Sequence, residues 1–258
     1  MRPQENPIMN KYLVIDTESV FDPYLREAYE CIEPGGRARI GCRSLVAISM
    51  WPIEIDALGR VDTGDLTTWT LEEKGTEGEL LASAFVFMRR YHDHVLVSYG
   101  GLAVDCQVLQ LAAMAADLEL PRQLKEANGP RWRDLRHIDL GLALKGSGKT
   151  WHHLSEVMIR MGLPVAALLG KADPTIRPGS INWHHVRQHC ERDVLWTAMV
   201  LIAWIRLQDN RLLRLRTGHL ALIESFIRQC PNATQKPILR RMADELQRQV
   251  VDTFDLAA

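Results

Sequence analysis

Residues Tyr12-Leu-Val-Ile-Asp-Thr-Glu18 decide the fold, because four apolar residues run straight into two acids spaced one residue apart. In an extended strand alternate side chains share a face, so Asp16 and Glu18 point the same way. Two carboxylates held that close repel, and each raises the other's proton affinity unless a cation or hydrogen-bond donors intervene. A divalent metal is the obvious cation. Taken alone, the pattern is also that of a solvated strand end, and carboxylates arriving from elsewhere in the chain decide between the two.

Two further acids qualify. His94 to Tyr99 reads as a strand, Gly100-Gly101 as a tight turn, and Leu102 to Asp117 as a helix carrying Asp105 in its first turns. Asp193 lies in His189-Cys-Glu-Arg-Asp-Val194, which opens an otherwise apolar helix running to about Ile205. An acid facing an apolar interior is costly unless it is paired or ligating. Singly, Asp105 reads equally as a first-turn helix charge and Asp193 as a surface residue. Their order and context carry more than either alone.

That order is Leu13-Val-Ile-Asp-Thr-Glu18, then Tyr99-Gly-Gly-Leu-Ala-Val-Asp105 with Leu109, then His189-Cys-Glu-Arg-Asp-Val194. Between the last two stand Arg136-His-Ile-Asp-Leu140 and Leu154-Ser-Glu-Val-Met158, the latter before Gly162-Leu-Pro164. Over about residues 10 to 205 the chain resembles a DEDD-type 3′-5′ exonuclease of the ribonuclease H-like fold. The branch it is most similar to is the one related to the proofreading domain of family B DNA polymerases. Three positions depart from that pattern. Gly100 stands where the family usually has Asn, Val104 where it has Phe, and His189 where it has Tyr. A sister branch places a His five residues before the last Asp, whereas His189 precedes Asp193 by four. Four residues turn a helix through roughly 400°, returning to nearly the same face, while five swing the side chain about 140° away. Gln188, at the sister spacing, has no basic nitrogen.

The resemblance implies an α/β, ribonuclease H-like mixed sheet flanked by helices, with a helical C-terminal extension. It implies a nuclease domain over residues 8–208 and an extension over 209–258. It also implies two Mg²⁺ or Mn²⁺ ions, about 3.5 to 4 Å apart in such sites, one activating water and one stabilising the leaving oxygen. Such hard cations prefer carboxylate oxygens to thiolates. By resemblance Asp16 bridges both ions, Glu18 and Asp193 complete the nucleophile side, and Asp105 holds the other ion. His189 orients or deprotonates the attacking water, a task that imidazole, ordinarily titrating near pH 6.5, suits better than a phenol near 10; the alternative is that it only hydrogen-bonds a carboxylate. Thr17, Ser19 and Leu102 line the nucleotide pocket on the same reasoning, and the substrate is the 3′ end of a single strand, DNA before RNA. An exoribonuclease or oligoribonuclease-like enzyme of the same fold is the alternative. A pseudo-exonuclease that only binds nucleic acid is suggested by the three departures.

Other features compete. Lys145-Gly-Ser-Gly-Lys-Thr150 approaches a phosphate-binding loop after a strand-like stretch, but the position five before Gly148 is Ala143, and Thr150 reads better as a helix N-cap. His185 and His189 share a helix face that would suit zinc, yet no paired Cys-x-x-Cys or His-Glu-x-x-His accompanies them. Between Arg122 and Lys149 seven Lys or Arg stand against three acids. There Arg131, Trp132 and Arg133 are candidates to hold phosphate and stack a base. Residues 22 to 43 read as an irregular insertion flanking the site, and Ser180 as the N-cap of the helix carrying His189.

Composition agrees without selecting. A chain of 258 residues with 47 % apolar content can bury a sizeable core, and its net charge of −1 leaves any polyanion to local patches and bound metal. The five scattered cysteines fit free thiols in a reducing compartment. With no apolar run near 18 residues and no signal-peptide core, the expectation is a cytoplasmic protein with no membrane partner. The tail beyond Asp209 reads as helices near Arg211 to Gln229 and Pro237 to Val251, free to pack on the core or to form a homodimer.

Overall fold

The computed structural model describes residues 10–125, 136–169, 181–208 and 212–255. Strand β1 (Asn10–Phe21) is the spine of a six-stranded mixed sheet. Along its whole length it pairs antiparallel with β2 (Arg43–Ile55), which carries β3 (Val61–Thr63) and β4 (Thr67–Thr70), both antiparallel. On its other side β5 (Val95–Ser98) runs parallel, but only against Tyr12 to Val14, and β6 (His137–Asp139) follows parallel to β5. The unequal lengths matter: among the described residues, no strand pairs with β1 on the β5 side from Asp16 onward.

Alternation along β1 divides the core into two layers. Leu13 and Ile15 face α3 (Glu77–Arg90) and α4 (Asp105–Ala115), joining Leu45, Ile48, Leu81, Phe85 and Leu109. Tyr12 and Val14 face the opposite layer, dominated by α8 (Trp183–Leu207). A central strand apolar on both faces is what burial beneath two helical layers requires. Each such fully buried aliphatic contributes about 1.5 to 3 kcal/mol relative to exposure.

The C-terminal helices α9 (Leu215–Gln229) and α10 (Lys236–Asp255) enter the second layer. Leu222, Ile223, Phe226 and Leu239 share a cluster with Trp51, Ile53 and Ile55 of β2, and Trp51 meets Phe226 edge-on at 6.4 Å. Among the shorter helices are α2 (Leu71–Lys74), α5 (Leu140–Lys145), α6 (Leu154–Arg160) and α7 (Val165–Leu168). No helix among the described residues is long and apolar enough to cross a membrane.

Several local expectations change. Residues 22 to 43 are not wholly irregular: Asp22 accepts hydrogen bonds from the Tyr24 and Leu25 amides, Pro23 opens the first turn, and α1 (Pro23–Ile32) follows. The helix carrying His189 is capped by Asn182, whose side chain accepts from the His185 amide, while Ser180 lies outside the described residues. The cap of α6 is His153, reciprocated by Glu156, rather than Thr150. The stretch before Gly146 is helix α5 and not a strand, so the strand-to-helix setting of a phosphate-binding loop is missing there.

Candidate active site

The acids gather where β1 outruns β5. Asp16 and Glu18 lie on this open stretch, followed at once by a register shift against β2 between Glu18 and Ser19. Such a bulge breaks the strict alternation and re-aims the side chains beyond it. From α8, Asp193 and His189 come in on one helix face, with His189 Nε2 4.0 Å from Asp193 Oδ2 across one turn. The Glu18 carboxylate pairs with His189 Nδ1. A carboxylate acceptor places the proton on Nδ1 and leaves Nε2 as the basic nitrogen. Nε2 is buried and has no hydrogen-bond partner among the described residues.

Asp105 arrives from the opposite layer. Its place at the start of α4 sets it beyond the end of β5, and Thr17, on the other face of β1 from Asp16, donates to its Oδ1 at 2.9 Å. Burial pushes the Asp105 carboxyl up to about 7, helped by the charges of Glu18 and Asp139 and opposed by the Thr17 hydrogen bond and Arg43. Asp16 is raised well above the usual carboxylate range, first by burial and then by Glu18, Asp193 and Asp105. Its Oδ2 is buried with no hydrogen bond among the described residues. The Cys190 thiol donates to the Asp16 carbonyl at 3.3 Å, fastening α8 to β1 at this point.

This cluster of acids raises one another's proton affinity while one buried oxygen lacks any donor, the electrostatic condition a divalent cation relieves. The donors are hard oxygens, which suits Mg²⁺ or Mn²⁺. Among the described residues no group of three or more His, Cys, Asp or Glu already stands arranged to hold a metal ion. Two of the acids have protein partners instead: Asp105 accepts from Thr17, and Glu18 pairs with His189.

Asp139, which ends β6, organises the turn bearing Asp105. Buried to 5 % exposure, it accepts from the amides of Gly100 (2.8 Å), Leu102 (2.9 Å) and Leu142 (3.1 Å). Gly100 takes a positive φ of 74°, and a Cβ on Gly101 would lie 2.5 Å from Ser98 Oγ, so both turn positions demand glycine. His137, two residues earlier, pairs with Ser98 Oγ at 2.8 Å, and burial pushes it down to about 4.

The substrate-side expectations are distributed. Thr17 is committed to Asp105; Ser19 accepts from Arg43 Nε at 2.9 Å; Leu102 is half-buried against the α3 and α4 layer. Arg131, Trp132 and Arg133 lie outside the described residues. Sequence reasoning missed Asp139, Arg43 and the buried Arg192, whose Nε lies 3.6 Å from Asp193 Oδ1. Asp139 had a signal, an acid closing a strand-like run as Asp16 does. Arg43 had none, because its partner Ser19 is 24 residues away. Beside the site, Thr234 in the α9–α10 connection donates to Gln188 Oε1 at 2.6 Å.

A six-stranded mixed sheet flanked by helices defines the ribonuclease H-like fold class. The chain belongs to the family described as predicted 3′-5′ exonuclease related to the exonuclease domain of PolB, whose model matches residues 42–229. The match starts beyond Asp16 and Glu18 and takes in Asp105, His189, Asp193 and α9. Among solved structures, the family B DNA polymerase from the hyperthermophilic archaeon Pyrobaculum calidifontis is similar in fold. Its TM-score is 0.50 at 12 % identity, covering 85 % of this chain and 29 % of the polymerase. Product-bound exonuclease I gives a TM-score of 0.43 at 12 % identity, covering 82 % of this chain and 46 % of that one. The chain therefore spans less than half the length of either. No curated protein matches it.

Proposed function

We propose that this chain is a two-metal 3′-5′ exonuclease that shortens single-stranded nucleic acid, DNA in preference to RNA, from the 3′ end. The observation that carries the proposal is the convergence of Asp16, Glu18, Asp105 and Asp193 at the open edge of β1, with Asp16 Oδ2 buried and lacking a donor. Those four carboxylates would hold the two ions, which when bound activate water and neutralise charge at the scissile phosphate. His189 is fixed by Glu18 through Nδ1, so that Nε2 presents its lone pair beside Asp193. In that orientation it takes a proton from the attacking water or aligns it, in the way a general base must be within hydrogen-bond reach of its target. Arg192, buried beside Asp193, limits the negative charge on the α8 side. Asp139 holds the Gly100–Leu102 turn so that Asp105 cannot retreat from the cluster.

The test is an incubation of 5′-labelled single strands of both sugars with Mn²⁺, read as a ladder, beside Asp16→Ala and His189→Phe. The expected result is stepwise shortening with DNA faster than RNA, abolished in Asp16→Ala and reduced less in His189→Phe. RNA turning over faster would make the chain an exoribonuclease. Binding without any Mn²⁺-dependent shortening would make it a nucleic-acid-binding pseudo-exonuclease, and equal rates for wild type and His189→Phe would remove His189 from the chemistry.

A further inference from the structure

Immediately beyond Glu18 the chain builds a surface that neither the acids nor the core accounts for. Strand β1 ends in Phe21, which is 43 % exposed, and Asp22 then caps α1. None of the ten residues of α1 is buried. Tyr24, Leu25, Ala28, Tyr29 and Ile32 fall within one arc of the helix of roughly 140°, at 100° per residue, whereas Arg26, Glu27 and Glu30 occupy the opposite side. Tyr24 is 81 % exposed and Ile32 80 %. A helix that costs backbone entropy and buries nothing of itself gains little stability from its own packing.

The return segment runs alongside. The Asp22 amide donates to the Cys42 carbonyl at 2.8 Å, which brings Arg39 to Arg43 back against the end of β1. Arg37 and Arg39 are exposed. Arg43 is held rigidly, donating from Nε to Ser19 Oγ at 2.9 Å and from Nη2 to the Ser19 carbonyl at 2.5 Å, with its guanidinium 4.8 Å from the Phe21 ring centre. Its charge reaches the site, because it lowers the proton affinity of Asp105.

We infer that this rim is the track for the single strand entering the site: Arg43 and Arg39 meet the phosphates just 5′ of the scissile bond, and Tyr24 stacks the base above them. The inference rests on the exonuclease reading. Charge selects the occupant. A fixed Arg43 guanidinium with exposed Arg37 and Arg39, beside the exposed Tyr24 ring and continuous with the cluster of acids, matches a polyanion with exposed bases. Glu27 and Glu30 lie on the side of α1 opposite the arc that carries Tyr24. A second copy of this chain would bring its own arginines against these and would leave Arg43 facing like charge.

The experiment measures affinity for thymidine 5′-monophosphate and for unlabelled (dT)₁₂ by competition against 5′-fluorescein-labelled (dT)₁₂, read by anisotropy with Ca²⁺ replacing Mn²⁺ so that strands stay intact, across a salt series. Wild type is compared with Tyr24→Ala, Arg39→Ala and the double variant; both side chains are exposed, and thermal melts report that the variants fold. The expected result is that the advantage of (dT)₁₂ over the mononucleotide falls about tenfold in the double variant, with stacking worth ~5-fold or more per base. The salt slope in Arg39→Ala should drop by about one. An unchanged length advantage with wild-type strand cleavage intact overturns the track and leaves the exonuclease reading standing. If wild type neither binds nor cleaves oligonucleotide, the exonuclease reading falls and the track with it. If Tyr24→Ala alters only the sedimentation behaviour of the protein, the face is a self-association surface and the inference is overturned.

Discussion

Replacing Asp105 by Asn should make the metal-free protein more stable, although the same change removes a carboxylate from the proposed centre. The folded-state carboxyl is raised from 3.8 to about 7, chiefly by burial. For an acid raised on folding, the native chain holds a proton that the unfolded chain has released between those two values. Stability is therefore fully present below about pH 4, declines as pH rises towards 7, and stays reduced above it. About three units at 1.36 kcal/mol each give a ceiling of ~4 kcal/mol, and the residue's partial exposure brings this to ~2 to 4 kcal/mol. Asn keeps an Oδ1 to accept the Thr17 hydroxyl, so the substitution removes charge with little change of shape. In EDTA at pH 8 the variant should melt roughly 5 to 10 °C above wild type. At pH 5 the gap should shrink to less than half. Saturating Mn²⁺ should raise wild type and close much of the difference, since ligand at 100 times Kd adds about 2.7 kcal/mol. The check is a thermal melt at both pH values with and without Mn²⁺. Equal or lower melting of the variant at pH 8 in EDTA would refute the view that Asp105 belongs to a destabilising cluster of acids.

Three further predictions follow from the packing. Burial pushes His219 down to about 4 while its Nε2 meets the Met199 carbonyl at 3.0 Å; the unfolded chain takes up that proton near pH 6.5, so stability falls as pH drops from 6.5 towards 4. His219→Gln keeps a donor for Met199, and urea unfolding at pH 7 and 4.5 should show it losing ~2 kcal/mol less than wild type over that interval; parallel losses would contradict this. Gly101→Ala puts a methyl 2.5 Å from Ser98 Oγ and 3.3 Å from Asp105 Oδ2, so it should cost about 1 to 3 kcal/mol and depress turnover; a variant with wild-type melting and rate would show the turn to be slack. Ending the chain after residue 208 uncovers Trp51, Ile53 and Ile55, and should give insoluble protein on expression; a soluble fragment with a cooperative melt would show the C-terminal helices to be dispensable.

Much of the site was legible because its information is local. The Asp16–Glu18 pair needs only strand alternation, and His189 with Asp193 needs only helical pitch; both spacings translate into shared faces in the structure. The Gly100-Gly101 turn before Asp105 was read from two residues that accept conformations others resist. Where local reasoning went astray, a competing local signal had been overlooked. Asp22-Pro23 is a helix start that the glycines and arginines after it obscured, and Asn182 is a cap residue whose carbonyl oxygen reaches the His185 amide.

The order of the motifs, through the resemblance it carries, thus pointed to the fold class, and local periodicity pointed to the central strand and to the residues that carry the acids. Only the tertiary structure decided how those acids are held. Thr17 meets Asp105 across 88 residues, His189 meets Glu18 across 171, Asp139 fastens a turn 39 residues earlier, and Arg43 returns to Ser19 across 24. These contacts are set by where the strands end and how two helical layers close on the sheet. Chain neighbours fix a side chain's direction, but the partner it finds there depends on through-space packing that no sequence window contains.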